Sequence, residues 1–225
     1  LNYVQKSLFV DRESERGSLL FAILKQKELS LITKSVGNSD RNHRYARLSS
    51  NPTISHRSVE PELITTLYQL KTRSLDATDD ARFGMGYCSE DFGLFKIENA
   101  LINNVRSDLE AIMKNAVKSE IYIKDSFFNI LKRGGGSRPH DHLNEFDEDE
   151  KLNFAYQKFS LVYYLAVGDQ TSDAPGILNL YEPTKEILPS NGMIIIIPAN
   201  RLHSAVYDGR SDRIMIGVNF YGLSR

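Results

Sequence analysis

The sequence predicts an α+β protein in which N-terminal helices pack on one sheet of a β-sandwich or barrel. Two observations carry that prediction. Apolar residues recur at helical spacing in parts of the first 118 residues, and from residue 119 onward the period falls to two or to short apolar runs. Turn signals separate those runs: Gly134-Gly135-Gly136, Asp173-Ala174-Pro175-Gly176, Pro189-Ser190-Asn191-Gly192 and Asp208-Gly209. Helices first and many short strands after is the pattern of helices gathered on one face of an antiparallel sheet.

The elements follow in order. Leu19, Leu20, Ile23, Leu24, Leu29, Leu31 and Ile32 suit a helix within 18–34 with one buried face. Residues 35–57 are polar and basic, with Arg41, His43, Arg44, Arg47 and Arg57, and read as a long loop. Ser58 is an N-cap candidate, and Pro61 is tolerated in the first turn of a helix near 60–72. Residues 75–96 have no clear period. The strongest helix spans 98–117, where Leu101, Ile102, Val105, Leu109, Ile112, Met113 and Val117 share one stripe. Strands are expected at 119–131, 158–167, 176–181, 192–198, 202–207 and 212–220. The division is then 1–118, helical and irregular, buttressing a core at 119–225, the two forming one domain.

Composition narrows the function classes. A net charge of −1 gives no global field for nucleic acid or a membrane surface. No apolar run reaches membrane-spanning length, and no signal peptide is visible. Cys88 is the sole cysteine, so no internal disulfide forms, which fits a reducing, cytoplasmic location.

Three of the five histidines lie in the strand-rich half: His140, His142 and His203. On an extended chain a His-x-His pair points both rings to one face. His203 follows the apolar run Met193–Ile197 and Pro198, which suits delivery of a third ligand from a neighbouring strand. Imidazole suits Fe, Zn, Cu and Ni, and three protein ligands leave positions open for chemistry. Taken alone, a His-x-His pair after a glycine run is an ordinary loop sequence. Arg213 adds weight, because it opens the apolar strand Ile214–Phe220, where a guanidinium is costly unless it meets an anion. Its planar fork matches a carboxylate.

Segment 126–142, Ser-Phe-Phe-Asn-Ile-Leu-Lys-Arg-Gly-Gly-Gly-Ser-Arg-Pro-His-Asp-His, resembles the metal-strand motif of the 2-oxoglutarate- and Fe(II)-dependent oxygenases, in their prolyl-hydroxylase-like branch. Segments 160–165, 176–181, 192–203 and 213–220 resemble that branch's following strands, in the same order. The resemblance covers residues 120–222 and implies a double-stranded β-helix (a jelly-roll, cupin-like) with N-terminal helices on the major sheet. It implies Fe(II) held by His140 and His203, with His142 standing where many members carry a carboxylate. If His142 does not bind, Asp141 is the remaining candidate, although strand alternation points it to the other face. It further implies that Arg213 pairs with the distal carboxylate of 2-oxoglutarate. Asn129 and Tyr163 are candidates for lining the same pocket; each is equally a structural residue, Asn129 bonded to backbone and Tyr163 in the core.

The implied activity is hydroxylation of an amino acid, peptide side chain or small metabolite, using dioxygen and 2-oxoglutarate. A cupin-like metalloenzyme without 2-oxoglutarate, or a non-catalytic jelly-roll, would use the same residues differently. The acidic run from Glu145 to Lys151 reads as a solvated loop, or else as a lid selecting a cationic substrate.

Overall fold

The computed structural model describes residues 17–23, 25, 51–75, 84–145, 147 and 154–223. Its strongest helix, α2 (Ala100–Val117), begins where the Asn99 side chain accepts hydrogen bonds from the backbone N–H groups of Leu101 and Ile102, at 2.9 and 3.1 Å. These bonds satisfy two of the donors that every helix start leaves open. Ile102, Val105, Leu109, Met113 and Val117 are fully buried, and each such side chain contributes roughly 1.5–3 kcal/mol. Lys118 closes the helix in the left-handed conformation.

A shorter helix, α1 (Pro61–Gln69), ends before the expected 72. Its N-cap is Glu60 rather than Ser58, and Pro61 occupies the first turn. The Ser58 backbone carbonyl instead accepts a hydrogen bond from the Tyr163 hydroxyl at 2.9 Å. Of the helix expected at 18–34, residues 17–23 and 25 are helical and the rest lies outside the described residues. Leu19 there packs on Phe154 and Tyr221.

The strands form two antiparallel sheets. The larger contains β1 (Thr53–His56), β2 (Thr72–Ser74), β3 (Gly86–Ser89), β4 (Glu120–Leu131), β6 (Lys158–Ala166), β9 (Met193–Pro198) and β11 (Arg213–Leu223). Its order is β1-β9-β6-β11-β4-β3-β2. The smaller contains β5 (Gly135–His140), β7 (Pro175–Leu180), β8 (Lys185–Ile187) and β10 (His203–Tyr207), in the order β5-β10-β7-β8. Three strands from the first 118 residues thus complete the larger sheet. One of them, β1, falls in the stretch expected to be loop, where four residues pair along β9. Residues 35–50 of that loop lie outside the described residues. The triple glycine was expected to be a turn alone, yet Gly135 already starts β5. A Cβ on Gly136 would lie 2.1 Å from the Ala205 carbonyl oxygen, so β5 and β10 approach closely only because glycine stands there.

Strand alternation gives the larger sheet two different faces. Ile214, Ile216, Val218 and Phe220 of β11, Phe159, Leu161, Tyr163 and Leu165 of β6, and Phe128 and Ile130 of β4 pack with α1 and α2 in one apolar core. The residues between them turn toward the smaller sheet. Between the sheets lies a cavity of about 1010 Å³.

Candidate metal centre

Two antiparallel neighbours bring the histidines together. His140 ends β5 and His203 begins β10, and the two are register partners. His142 lies just past the strand, where its backbone N–H donates to the Ala199 carbonyl at 2.8 Å. The Ala199 N–H in turn donates to the Lys158 carbonyl of β6 at 2.9 Å. The ring centroids of His140, His142 and His203 are 4.4 to 5.2 Å apart. One ring nitrogen from each lies within 4.8 Å of the other two.

Second contacts aim these nitrogens inward. His140 Nδ1 lies 2.7 Å from the Arg138 carbonyl oxygen, and His203 Nδ1 lies 2.8 Å from that of Arg201. A carbonyl only accepts, so each Nδ1 carries the proton and each Nε2 keeps its lone pair for the cluster. Burial, reinforced by the nearby His140, pushes the pKa of His203 down to about 4 and keeps its ring neutral. The Nε2 atoms of His142 and His203 are 3.2 Å apart. Metal–imidazole bonds of about 2.1 Å set adjacent ligands about 3 Å apart, the separation already seen between His142 and His203.

Asp141, the other candidate for third ligand, does not join the cluster. Its carboxylate accepts from the Leu143 N–H at 3.0 Å and closes the turn after His142. The loop is pinned again by Asp147, whose carboxylate accepts from the Asn144 N–H at 3.0 Å, the Lys158 ammonium at 2.5 Å and the Tyr221 hydroxyl at 2.6 Å. Asp147 is only 1% exposed, so this member of the acidic run is an internal anchor and not a solvated charge. Glu145 is exposed, and Glu148, Asp149, Glu150 and Lys151 lie outside the described residues.

Arg213 opens β11 on the cavity side and is fully buried. Tyr164 and Tyr207 flank its guanidinium, with ring centroids 5.0 and 5.8 Å away. Nη1 donates to the Pro175 carbonyl at 3.3 Å, while Nε and Nη2 have no hydrogen-bond partner among the described residues. Burial pushes its pKa down, but a guanidinium keeps its charge in proteins. A buried cation with two vacant donors is a receptor for an anion. Gly176 makes room for it: a Cβ there would stand 1.5 Å from Nη1, and its φ of +84° is one that side-chain-bearing residues rarely adopt.

Asn129 lines the cavity beside Cys88, its partner across β3 and β4. Tyr163 does not. It pairs opposite Ile216 on the helix-covered face, where its hydroxyl meets Ser58 and the Arg57 guanidinium. The next residue, Tyr164, takes the pocket position. Sequence reasoning missed Tyr164, Tyr207 and Gly176. Fixing the alternation of β6 from its start at Lys158 would have chosen Tyr164 over Tyr163.

No family model and no curated protein matches the sequence. Solved structures do match the fold. A prolyl-4-hydroxylase of Pseudomonas putida aligns over 77% of this chain and 94% of its own, with 14% identity and a TM-score of 0.55. A prolyl hydroxylase of Trichoplax adhaerens, bound to a hypoxia-inducible-factor peptide, aligns over 79% and 88%, with 13% identity and a TM-score of 0.57. HygX of Streptomyces hygroscopicus, with nickel and 2-oxoglutarate bound, aligns over 77% and 83%, with 10% identity and a TM-score of 0.58. The chain therefore has the double-stranded β-helix fold found in 2-oxoglutarate- and Fe(II)-dependent oxygenases, with its helices on the larger sheet.

Proposed function

We propose that the protein is a 2-oxoglutarate- and Fe(II)-dependent oxygenase that hydroxylates an organic substrate. One observation carries the reading: one cavity holds three convergent imidazoles and a buried arginine with two donors that have no partner among the described residues. The similar folds include a protein with nickel and 2-oxoglutarate bound, which supports the same cofactor pair here. When bound, Fe(II) with 2-oxoglutarate and dioxygen supplies the oxidation of a C–H bond, releasing succinate and carbon dioxide.

The chain's own residues do the rest. His140, His142 and His203 would hold the metal, and the Arg138 and Arg201 carbonyls fix two of the rings in the ligating tautomer. The Arg213 fork would receive the distal carboxylate, with Tyr164 and Tyr207 walling it from water. Apolar residues of β7, β8 and β9, among them Leu178, Leu180, Ile187, Ile195 and Ile197, pack with Tyr164 between the sheets. Excluding water there protects reactive intermediates.

The three-histidine set also favours a second reading. A cupin-like metalloenzyme would use the same ligands while Arg213 binds a substrate carboxylate directly. Calorimetry of nickel-loaded protein separates the two. Micromolar 2-oxoglutarate binding, lost in both His203→Ala and Arg213→Met, is the expected result. Metal uptake with no 2-oxoglutarate binding would rule the oxygenase reading out.

A further inference from the structure

The cavity face of β11 carries a second buried polar residue besides Arg213. Asn219 is 8% exposed and lines the same cavity. Its Nδ2 donates to Asp125 Oδ1 on β4 at 2.7 Å. The carboxylate fixes the amide orientation, because only the NH₂ end can donate to it. Asn219 Oδ1 is therefore left as a buried acceptor with no partner among the described residues. An orphaned buried acceptor is destabilising, and a ligand donor would relieve it.

Asp125 joins Asn219 in lining the cavity. The strands slip register there, since Asn219 faces Asp125 but Phe220 faces Ile123, leaving Lys124 as an extra residue. Such a bulge re-aims neighbouring side chains and recurs beside active sites. Asp125 has no ion-pair partner among the described residues. Lys158 is near, but its ammonium is engaged by Asp147, and Lys124 acts on Asp125 through its charge. Burial pushes the Asp125 pKa up, against the opposing pull of the Asn219 bond and the Lys124 and Lys158 charges.

We propose that Asp125 and Asn219 form a substrate subsite for an amino or guanidino group. The pair offers the cavity two kinds of acceptor, the Asn219 amide oxygen and the Asp125 carboxylate, while one Asn219 N–H is already donated to Asp125. A nitrogen bearing two or more N–H bonds can bridge both, and its positive charge compensates Asp125 where a hydroxyl would not.

The location suits a substrate. Arg213 and Asn219 are six residues apart on one strand face, about 20 Å at the usual rise per residue. Tyr207, at the far end of β10 from His203, is the residue that reaches Arg213. The His142 backbone connects through Ala199 to Lys158 of β6, two residues before Ser160, the register partner of Asn219. The histidines are thus displaced from the anion-binding end toward the acceptor pair. That the bound nitrogen belongs to the substrate rests on the oxygenase reading; that the pair binds such a nitrogen does not.

The test uses nickel-loaded protein with 2-oxoglutarate, titrated with n-butylamine, n-butylguanidinium, butan-1-ol and butyrate by ligand-observed NMR. The amine and guanidinium should bind at least tenfold more tightly than the alcohol or the acid. Asn219→Leu should weaken them about tenfold, and Asn219→Asp should tighten them severalfold. Equal binding of all four probes, preference for butyrate, or amine binding unchanged in Asn219→Leu would overturn the proposal. Should Asn219→Leu fail to fold, the near-isosteric Asn219→Asp decides, because unchanged amine affinity there is equally fatal. Loss of 2-oxoglutarate binding with amine binding intact would instead defeat the oxygenase reading and leave this subsite standing.

Discussion

The two faces of the larger sheet are built from the same strands and bury opposite chemistry. On the helix side, β4, β6 and β11 present Phe128, Ile130, Leu161, Ile214, Ile216 and Val218 to α1 and α2. On the cavity side the alternating positions hold Asp125, Asn129, Lys158, Ser160, Arg213 and Asn219. The first face satisfies itself by apolar contact, apart from the Tyr163 hydroxyl, which is hydrogen-bonded to Ser58 and Arg57. The second is left partly unsatisfied, at Arg213 Nε and Nη2 and at Asn219 Oδ1. A fold that closed every polar group would have no place for a ligand. Here one face supplies stability, and the other holds unpaired groups that a ligand can complete.

That comparison breaks most visibly at the metal cluster. His203→Ala should abolish turnover, an effect larger than the roughly 10–100-fold caused by losing an outer partner of a metal ligand. It should leave the chemical denaturation midpoint near wild type, because no helix-face contact changes. A large drop in stability with metal binding retained would mean that His203 is a core residue and not a ligand. The mirror experiment is Leu109→Ala on α2. It should cost about 2–5 kcal/mol in unfolding free energy, while 2-oxoglutarate affinity stays unchanged in the fraction that folds.

Gly176→Ala sharpens the comparison from the cavity side. The added methyl would occupy the position of Arg213 Nη1 and would do so at a positive φ. The guanidinium must move, so 2-oxoglutarate affinity should fall by about tenfold or more, since a displaced bidentate pair forfeits about 1.5–3 kcal/mol per charged hydrogen bond. Iron or nickel affinity should hold. Isothermal titration with each ligand separates the two, and unchanged 2-oxoglutarate binding would show that the keto acid does not use Arg213.

Much of the site was legible because its signals are local and costly. His140, His142, His203 and Arg213 stand out as imidazoles at two-residue spacing and a guanidinium at the start of an apolar strand. Helix α2 was legible for the same reason, since its apolar stripe runs for five turns. What was hidden is what depends on partners. The strands β2, β3 and β8 have three or four residues each, too few for a period to emerge. β5 is Gly-Gly-Ser-Arg-Pro-His, a sequence whose strand state comes from pairing with β10. In β6, most of Phe159–Leu165 is buried on both faces, so hydropathy does not show which face Tyr163 takes, and only counting from Lys158 separates it from Tyr164. The Asp125–Asn219 pair joins strands 94 positions apart and has no sequence signature.

The smallest expected effect tests the rim of the helix face, where charge is exposed. The Arg57 guanidinium donates twice to Glu60, at 2.7 Å each, and once to Asp108 at 2.9 Å. Those bonds hold the Glu60 carboxyl below the usual carboxylate range. A carboxylate whose pKa is depressed on folding stabilises the protein above its unfolded pKa, about 4.3 for Glu, and that contribution fades as the pH falls through the lower folded value. The Glu60 side chain is 35% exposed, so screening limits the contribution to under about 1 kcal/mol. Glu60→Gln should therefore lower the unfolding free energy slightly at pH 7 and not at all near pH 2. The wild-type minus variant difference, followed by urea denaturation across that range, should shrink toward acid and shrink again in 1 M salt at neutral pH. A difference that grew toward acid would mean that Glu60 acts through its contacts as a protonated group, and the rim would then resemble the apolar face beneath it more than an exposed ion pair.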